Sequence, residues 1–281
     1  MKRSLRTTTS LLVLLALAAG VPTRAQSAQQ ATWIEKWVPR MAGPEAQLEH
    51  ARHLKRQTSD KQGDELAFWR KLSVEAYQAV RVFHPGASAI CVEAAFRAGE
   101  ILRAGGDQAG AMEEFGWSIQ HGQGSDFRTR ARLEMGHLHR RAERWREALE
   151  SYLDVAADTA ALGARREDAW LWAGTAWRAL GRVEDARLAW QRVAGQGTDP
   201  LARVQGFDEL ALLCLAESDL EGAAGVLDQC LRALSAHALE ETETGERVRN
   251  ALLRMRIVVE LPRAIALRNG SSAEQGSPRK S

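Results

Sequence analysis

Three kinds of residue recur at a fixed spacing in this 281-residue chain, and this recurrence limits the folds that it can adopt. A glycine is followed after twelve residues by an alanine, and four residues later by an aromatic residue. These copies consist of Gly99, Ala111 and Phe115; of Gly136, Ala148 and Tyr152; and of Gly174, Ala186 and Trp190. A weaker fourth copy contains Ala211, Ala223 and Leu227, and the copies begin 37 or 38 residues apart. A self-similarity of this period indicates a stack of repeated units.

Each copy has the pattern of two antiparallel helices. Over residues 62–267, apolar residues recur at i, i+3, i+4 and i+7 among many Ala, Leu, Arg and Glu, whereas strand-like alternation is scarce. Turn residues stand between the glycine and the alanine, as Gly-Gly-Asp at 105–107 and Gly-Arg at 181–182. Small residues let two helix axes approach closely, and the aromatic residue fills the space beside them. The predicted fold class is all-α, an α-solenoid of antiparallel helix pairs.

This pattern resembles the tetratricopeptide repeat (TPR) over residues 63–236. The step of 37 or 38 residues exceeds the 34 residues typical of the family, which predicts longer connections between repeats. One connection, His-Pro-Gly-Ala-Ser at 84–88, is similar to the TPR units of bacterial periplasmic and outer-membrane-associated proteins. The resemblance implies that the first helix of each pair lines a concave groove that captures peptides.

The first residues have the pattern of a secretory signal peptide. Lys2, Arg3 and Arg6 precede a short apolar run at 11–19, and small residues suit cleavage after Ala25. We expect export to the periplasm or outside the cell; a retained, uncleaved anchor is the alternative. Loss of residues 1–25 removes four basic residues and no acidic one, so the formal charge changes from +2 to −2. This balance disfavours nucleic acid as a partner, and no later segment predicts a transmembrane span.

The chain is expected to divide into five parts. Residues 44–56 and 64–83 would form an irregular first helix pair, and Pro262 would interrupt a helix that begins near Gly245. The parts are a signal peptide at 1–25, a linker at 26–43, TPR-like repeats at 44–236, C-terminal capping helices at 237–268 and a disordered tail at 269–281.

No pattern of catalytic, cofactor-binding or metal-binding residues stands out. The chain lacks a phosphate-binding loop and a Gly-x-Ser-x-Gly nucleophile motif. His50 and His53 lie three residues apart near Glu49, which makes a surface metal site conceivable, although a solvated helix is the favoured interpretation. We therefore predict no catalytic residue, no cofactor and no metal.

The three cysteines do not form a disulfide framework. Cys91, Cys214 and Cys230 are an odd number at wide spacing. In an antiparallel pair, Cys214 would lie near the turn and Cys230 near the far end, too far apart to bond. A single bridge is the alternative, and buried thiols are the favoured prediction.

The candidate ligand residues follow the marker glycines. Arg103, Arg140 and Arg178 each come four residues after a glycine and would form a ladder along the groove, with His137 and Trp172 nearby. Guanidinium groups bind carboxylates through paired hydrogen bonds, so the ladder could hold an acidic segment or a free C-terminus. The alternative is a solvated face, in which Glu100 neutralises Arg103 and Arg130 pairs with Glu134.

The predicted function is that of an exported, non-catalytic scaffold that binds a peptide or helix of another cell-envelope protein. The alternative is an extracytoplasmic enzyme or enzyme accessory acting on cell-wall polymers, which would need acids such as Glu100, Glu134 and Asp168 to converge. Self-association through the end faces of the stack is a further possibility.

Overall fold

A computed structural model describes residues 33–34 and 36–275. Within these residues the secondary structure consists of α-helices and turns without a strand, so the all-α prediction is confirmed. The predicted signal peptide lies outside the described residues. The eleven long helices are α1 (Pro44–Arg56), α2 (Gly63–Phe83), α3 (Ser88–Ala104), α4 (Gln108–His121), α5 (Asp126–Arg141), α6 (Trp145–Ala157), α7 (Gly163–Ala179), α8 (Val183–Gln196), α9 (Pro200–Ala216), α10 (Leu220–Ala238) and α11 (Glu243–Gln275).

The turns that close the helix pairs share one backbone geometry. The second residue after the first helix adopts a left-handed conformation in four pairs, and these residues are again 37 or 38 positions apart: Gly106, Glu143, Gly181 and Ser218, with φ of 88°, 56°, 75° and 63°. In each turn the next residue donates its backbone N–H to a carbonyl five residues earlier, as from Arg182 to Trp177 at 2.9 Å and from Asp219 to Cys214 at 2.8 Å. This bond satisfies a carbonyl that the end of the helix leaves unpaired.

The chain divides into two compact units at the Leu138–His139 bond, within α5. In each unit a helix packs against its neighbour in sequence and, in several cases, against the next but one. The first unit contains the pairs α1–α2, α2–α3, α3–α4 and α1–α3, and the second contains α6–α7, α7–α8, α8–α9, α9–α10, α10–α11, α7–α9 and α9–α11. Packing between sequential helices is the arrangement of a solenoid.

In the first unit, Phe96 and Phe115 form the centre of the packing between α3 and α4. Both rings are fully buried, and their centroids lie 5.7 Å apart. The ring of Phe115 lies directly on the backbone of Gly99, where an added Cβ would come within 2.6 Å of Cε1. Gly99 is therefore the close-approach point of this pair.

In the second unit, Trp190 has the corresponding position between α7 and α8. Its indole is fully buried, and its Nε1 donates a hydrogen bond to the carbonyl of Leu171 at 3.1 Å. The ring lies on the backbone of Gly174. The other marker residues are buried too: Ala111, Gly136, Ala148, Tyr152 and Ala186.

The ends of the described chain differ from the sequence prediction. Ile34 and Val38, inside the predicted linker, are buried beside Ala79 of α2. Helix α11 continues through Pro262 to Gln275, so the predicted interruption is wrong, and residues 269–275 are helical where a disordered tail was expected. A proline removes only one intrahelical N–H donor. Helix α11 is held mainly by Val248, Leu252, Met255 and Val259, which are buried in the core of the second unit. Just beyond the proline, Arg263 donates two hydrogen bonds to Glu221 of α10, at 3.1 and 3.0 Å.

Replacing Gly174 by alanine should destabilise the protein by about 1–3 kcal/mol. The new Cβ would lie 2.7 Å from Cδ1 of Trp190, which is enclosed and has no space to move into. The control is Gly195→Ala in α8, because nothing lies within 4 Å of a Cβ there and alanine favours helix. Urea unfolding followed by circular dichroism measures both, and equal midpoints for the two variants would contradict the packing described.

Replacing Ser218 by glycine should stabilise the protein by about 0.5–1 kcal/mol. The left-handed conformation costs a non-glycine residue about 1–2 kcal/mol, which the greater entropy of unfolded glycine partly offsets. The reciprocal change, Gly181→Ser, should destabilise by a similar amount, since Gly181 has the same conformation. The same urea titrations test the pair, and a shift in the same direction for both variants would refute the explanation.

Candidate ligand-binding site

The three arginines of the predicted ladder each have a partner within the chain. In the first unit, Arg103 Nε lies 3.1 Å from Glu134 Oε2. In the second unit, Arg178 donates a hydrogen bond of 3.3 Å to Glu209. Arg140 also belongs to the second unit, so a ladder that joins all three arginines stays a prediction.

Arg140, Trp172 and Asp168 form a cluster in the second unit. The guanidinium of Arg140 lies over the indole of Trp172, 4.4 Å from its centroid. The ring of Tyr152 also stacks on this indole, and the two ring centroids are 6.5 Å apart. Burial raises the pKa of Asp168, and a hydrogen bond with Trp172 partly opposes this rise. The predicted groove residue Trp172 therefore has partners on two sides. His137, the remaining ligand candidate, is half-buried on α5 in the first unit.

In the first unit, an alternating series of arginines and glutamates connects α1, α3 and α5. Glu93 of α3 binds Arg52 of α1 at 2.7 Å and Arg97 at 3.6 Å. Glu100 then binds Arg97 at 2.8 Å and Arg130 of α5 at 3.5 Å. The expected Glu100–Arg103 pair is replaced by these contacts, because Glu100 binds Arg97 one turn earlier on α3 and Arg130 of α5, while Arg103 lies against Glu134 of α5.

An open cleft of about 620 Å³ lies between α1, α2 and α3 of the first unit. Tyr77 lines it, with Thr58 at its edge. Its charged lining consists of five cations and one carboxylate: Arg52, Lys55, Arg56, Arg70, Arg97 and Glu100. This excess of positive charge makes the cleft the candidate ligand-binding site.

The described residues offer no alternative centre for metal or thiol chemistry. Within 33–34 and 36–275, no group of three His, Cys, Asp or Glu side chains could hold a metal ion. Cys91, Cys214 and Cys230 are free and buried, which confirms the prediction of buried thiols. Burial raises the pKa of Cys230 to about 12, so this thiol is protonated and unreactive in the folded state. No described helix has the length and apolar character of a bilayer-spanning segment.

Solved structures are similar to this chain over most of its length, whereas no family model and no curated protein matches it. BtubC (BKLC) from P. vanneervenii has a TM-score of 0.51 and 16% identity, with 81% of this chain and 96% of that chain covered. A putative kinesin light chain from Podosopora anserina, described as having nearly identical TPR-like repeats, has a TM-score of 0.51 and 17% identity, with coverage of 72% and 100%. This chain has a TPR-like fold. The likeness concerns the fold, and the resemblance to bacterial envelope proteins stays a prediction.

The cleft of this TPR-like protein depends on residues that the repeat pattern did not mark. Arg52, Lys55 and Arg56 lie on α1, and Arg70 lies on α2. A sequence signal did exist, since residues at i, i+3 and i+4 share one face of a helix. Their convergence with Arg97 depends on the packing of α1 against α3, which the spacing of the glycines does not encode.

Replacing Asp168 by asparagine should raise the free energy of unfolding at pH 7. Because the pKa of Asp168 is higher in the folded state, the ionised carboxylate destabilises the fold at neutral pH, and this cost disappears below about pH 4. Asparagine keeps an oxygen that can accept a hydrogen bond from Trp172. In urea titrations, we expect the difference in the free energy of unfolding between the variant and the wild type to disappear as the pH falls from 7 to 4.

The control for this change is the exposed Asp228, whose replacement by asparagine should alter stability little. A stability difference between Asp168→Asn and the wild type that is independent of pH would show that ionisation of Asp168 is not its cause.

Proposed function

We propose that this TPR-like protein is an exported, non-catalytic scaffold of a bacterial cell envelope that binds a peptide or helix of another envelope protein. The observation that carries the proposal is the preformed cleft between α1, α2 and α3. Stacked helix pairs create extended surfaces that suit non-covalent capture of a partner. The leader at 1–25, with its cleavage pattern after Ala25, supports the envelope location.

The placement of the acids favours binding over hydrolysis of cell-wall polymers. Glu100 and Glu134 are each engaged by arginines, and Asp168 belongs to the other unit. Hydrolytic glycosidases commonly place two carboxyl groups across the scissile bond, one of them as general acid. The described lining of the cleft contains one carboxylate among five cations, which is the composition of a surface that attracts anions.

Site-specific photo-crosslinking in the native host tests the proposal. A benzoylphenylalanine placed at Thr58, at the edge of the cleft, or at Trp172, on α7, should form adducts with a discrete envelope protein. The matched control is Leu188, a side chain that is 63% exposed and lies on α8, the second helix of its pair. Intact-mass analysis of the same samples should show a chain that begins at Gln26.

Adducts at Leu188 alone, or at no position, would refute capture by the first helices. Recovery of the protein only from the cytoplasm, with residues 1–25 retained, would refute the envelope location.

A further inference from the structure

We infer that the cleft between α1, α2 and α3 binds an acidic stretch of polypeptide through Lys55 and Arg70, an inference that rests on the proposed function. Lys55 is at the end of α1 and Arg70 is near the start of α2, so two different helices present the two charges. Neither residue has a carboxylate within ion-pair distance in the described part of the chain.

The charge balance of the cleft leaves these two cations without an internal partner. Three glutamates are shared among four arginines, which leaves little negative charge for a further cation. Glu49 binds Arg52 and Arg56, Glu93 binds Arg52 and Arg97, and Glu100 binds Arg97 and Arg130. Of these arginines, Arg52, Arg56 and Arg97 line the cleft, so its three paired arginines are matched by three carboxylates. Lys55 and Arg70 then add two positive charges, which a ligand with two negative charges would balance.

The shape and polarity of the cleft favour a peptide over a nucleic acid. Its volume of about 620 Å³ is within the range of about 300–1,000 Å³ that is usual for ligand pockets. Glu100 stands in the lining and Glu93 pairs with two of its arginines, so a continuous phosphate backbone would meet repulsion there, whereas acidic side chains of a peptide can project toward separate cations. Peptide N–H groups can also donate to Glu100. Tyr77, the aromatic residue of the lining, is only 3% exposed and offers no ring face on which a base could stack.

The tyrosine adds a neutral hydrogen-bond donor. Burial raises the pKa of Tyr77 to about 12, although Arg97 and Arg52 oppose this rise. A tyrosine hydroxyl with the ordinary pKa of about 10 is already protonated at neutral pH, and the raised pKa keeps it so. A protonated hydroxyl beside cations suits a carboxylate or carbonyl oxygen of a bound peptide.

Fluorescence anisotropy with the full chain tests the inference. The probe is a fluorescein-labelled hexaglutamate peptide with an amidated C-terminus, compared with a labelled hexaglutamine peptide and labelled (dT)6. We expect the glutamate peptide to bind most tightly, with an affinity that falls as salt is raised from 50 to 300 mM. The double variant Lys55→Glu/Arg70→Glu should raise the Kd for hexaglutamate at least tenfold.

The matched control is Arg146→Glu/Arg232→Glu, which makes the same change in net charge with exposed residues of the second unit. This variant should change the Kd less than twofold, and circular dichroism should show both variants folded. Equal weakening by both variants would mean that net charge, not the cleft, attracts the peptide, and would overturn the inference. Equal or tighter binding of (dT)6, lost in the cleft variant, would replace the acidic peptide by a nucleic acid.

The two proposals fail in different ways. Suppose that crosslinks to an envelope protein form at Thr58 or Trp172, but the Kd for hexaglutamate is the same in Lys55→Glu/Arg70→Glu as in the wild type. This result would leave the scaffold function intact and overturn the inference of an acidic ligand. Hexaglutamate binding that depends on the cleft, without any crosslinked envelope protein, would overturn the function in the envelope instead.

Discussion

The contact between a glycine backbone and a buried aromatic ring is the interaction on which the rest of this TPR-like structure depends. Gly99 lies under Phe115 in the first unit, and Gly174 lies under Trp190 in the second. The absence of a side chain at these positions lets the ring bridge two helices without a void, which protein interiors rarely tolerate. The same contact fixes the spacing of a helix pair, and thereby the direction in which its first helix presents polar side chains.

Electrostatic contacts add a second level of order to the first unit. The arginines and glutamates of α1, α3 and α5 alternate, so each charge is held between opposite charges from another helix or another turn. Exposed pairs of this kind contribute little to stability one by one, although a network holds its side chains in defined positions. A ligand that meets such a surface finds cations already oriented, which reduces the entropy lost on binding.

The helix pairs could be predicted from the sequence, whereas the candidate site could not. Close approach of two helices requires small residues at definite positions. Gly99, Gly174 and their aromatic partners therefore recur at a regular spacing that is visible in the sequence. Ion pairing depends on the choice among several cations within reach, and Glu100 pairs with Arg97 on its own helix and with Arg130 of α5 instead of Arg103. The local preference of Pro262 against a helix is outweighed by the burial of the apolar face of α11 in the core of the second unit. The export signal stays a prediction, since residues 1–25 lie outside the described chain.

The buried cysteines give each unit a thiol whose modification reports local opening of the surrounding helices. Cys91 is enclosed in the first unit, and Cys214 and Cys230 are enclosed in the second. A thiol reagent therefore modifies each site only through conformations in which the surrounding helices have separated. The native chain thus has internal markers for local opening in both units, and an oxidant would select molecules that have begun to unfold rather than damage the intact stack.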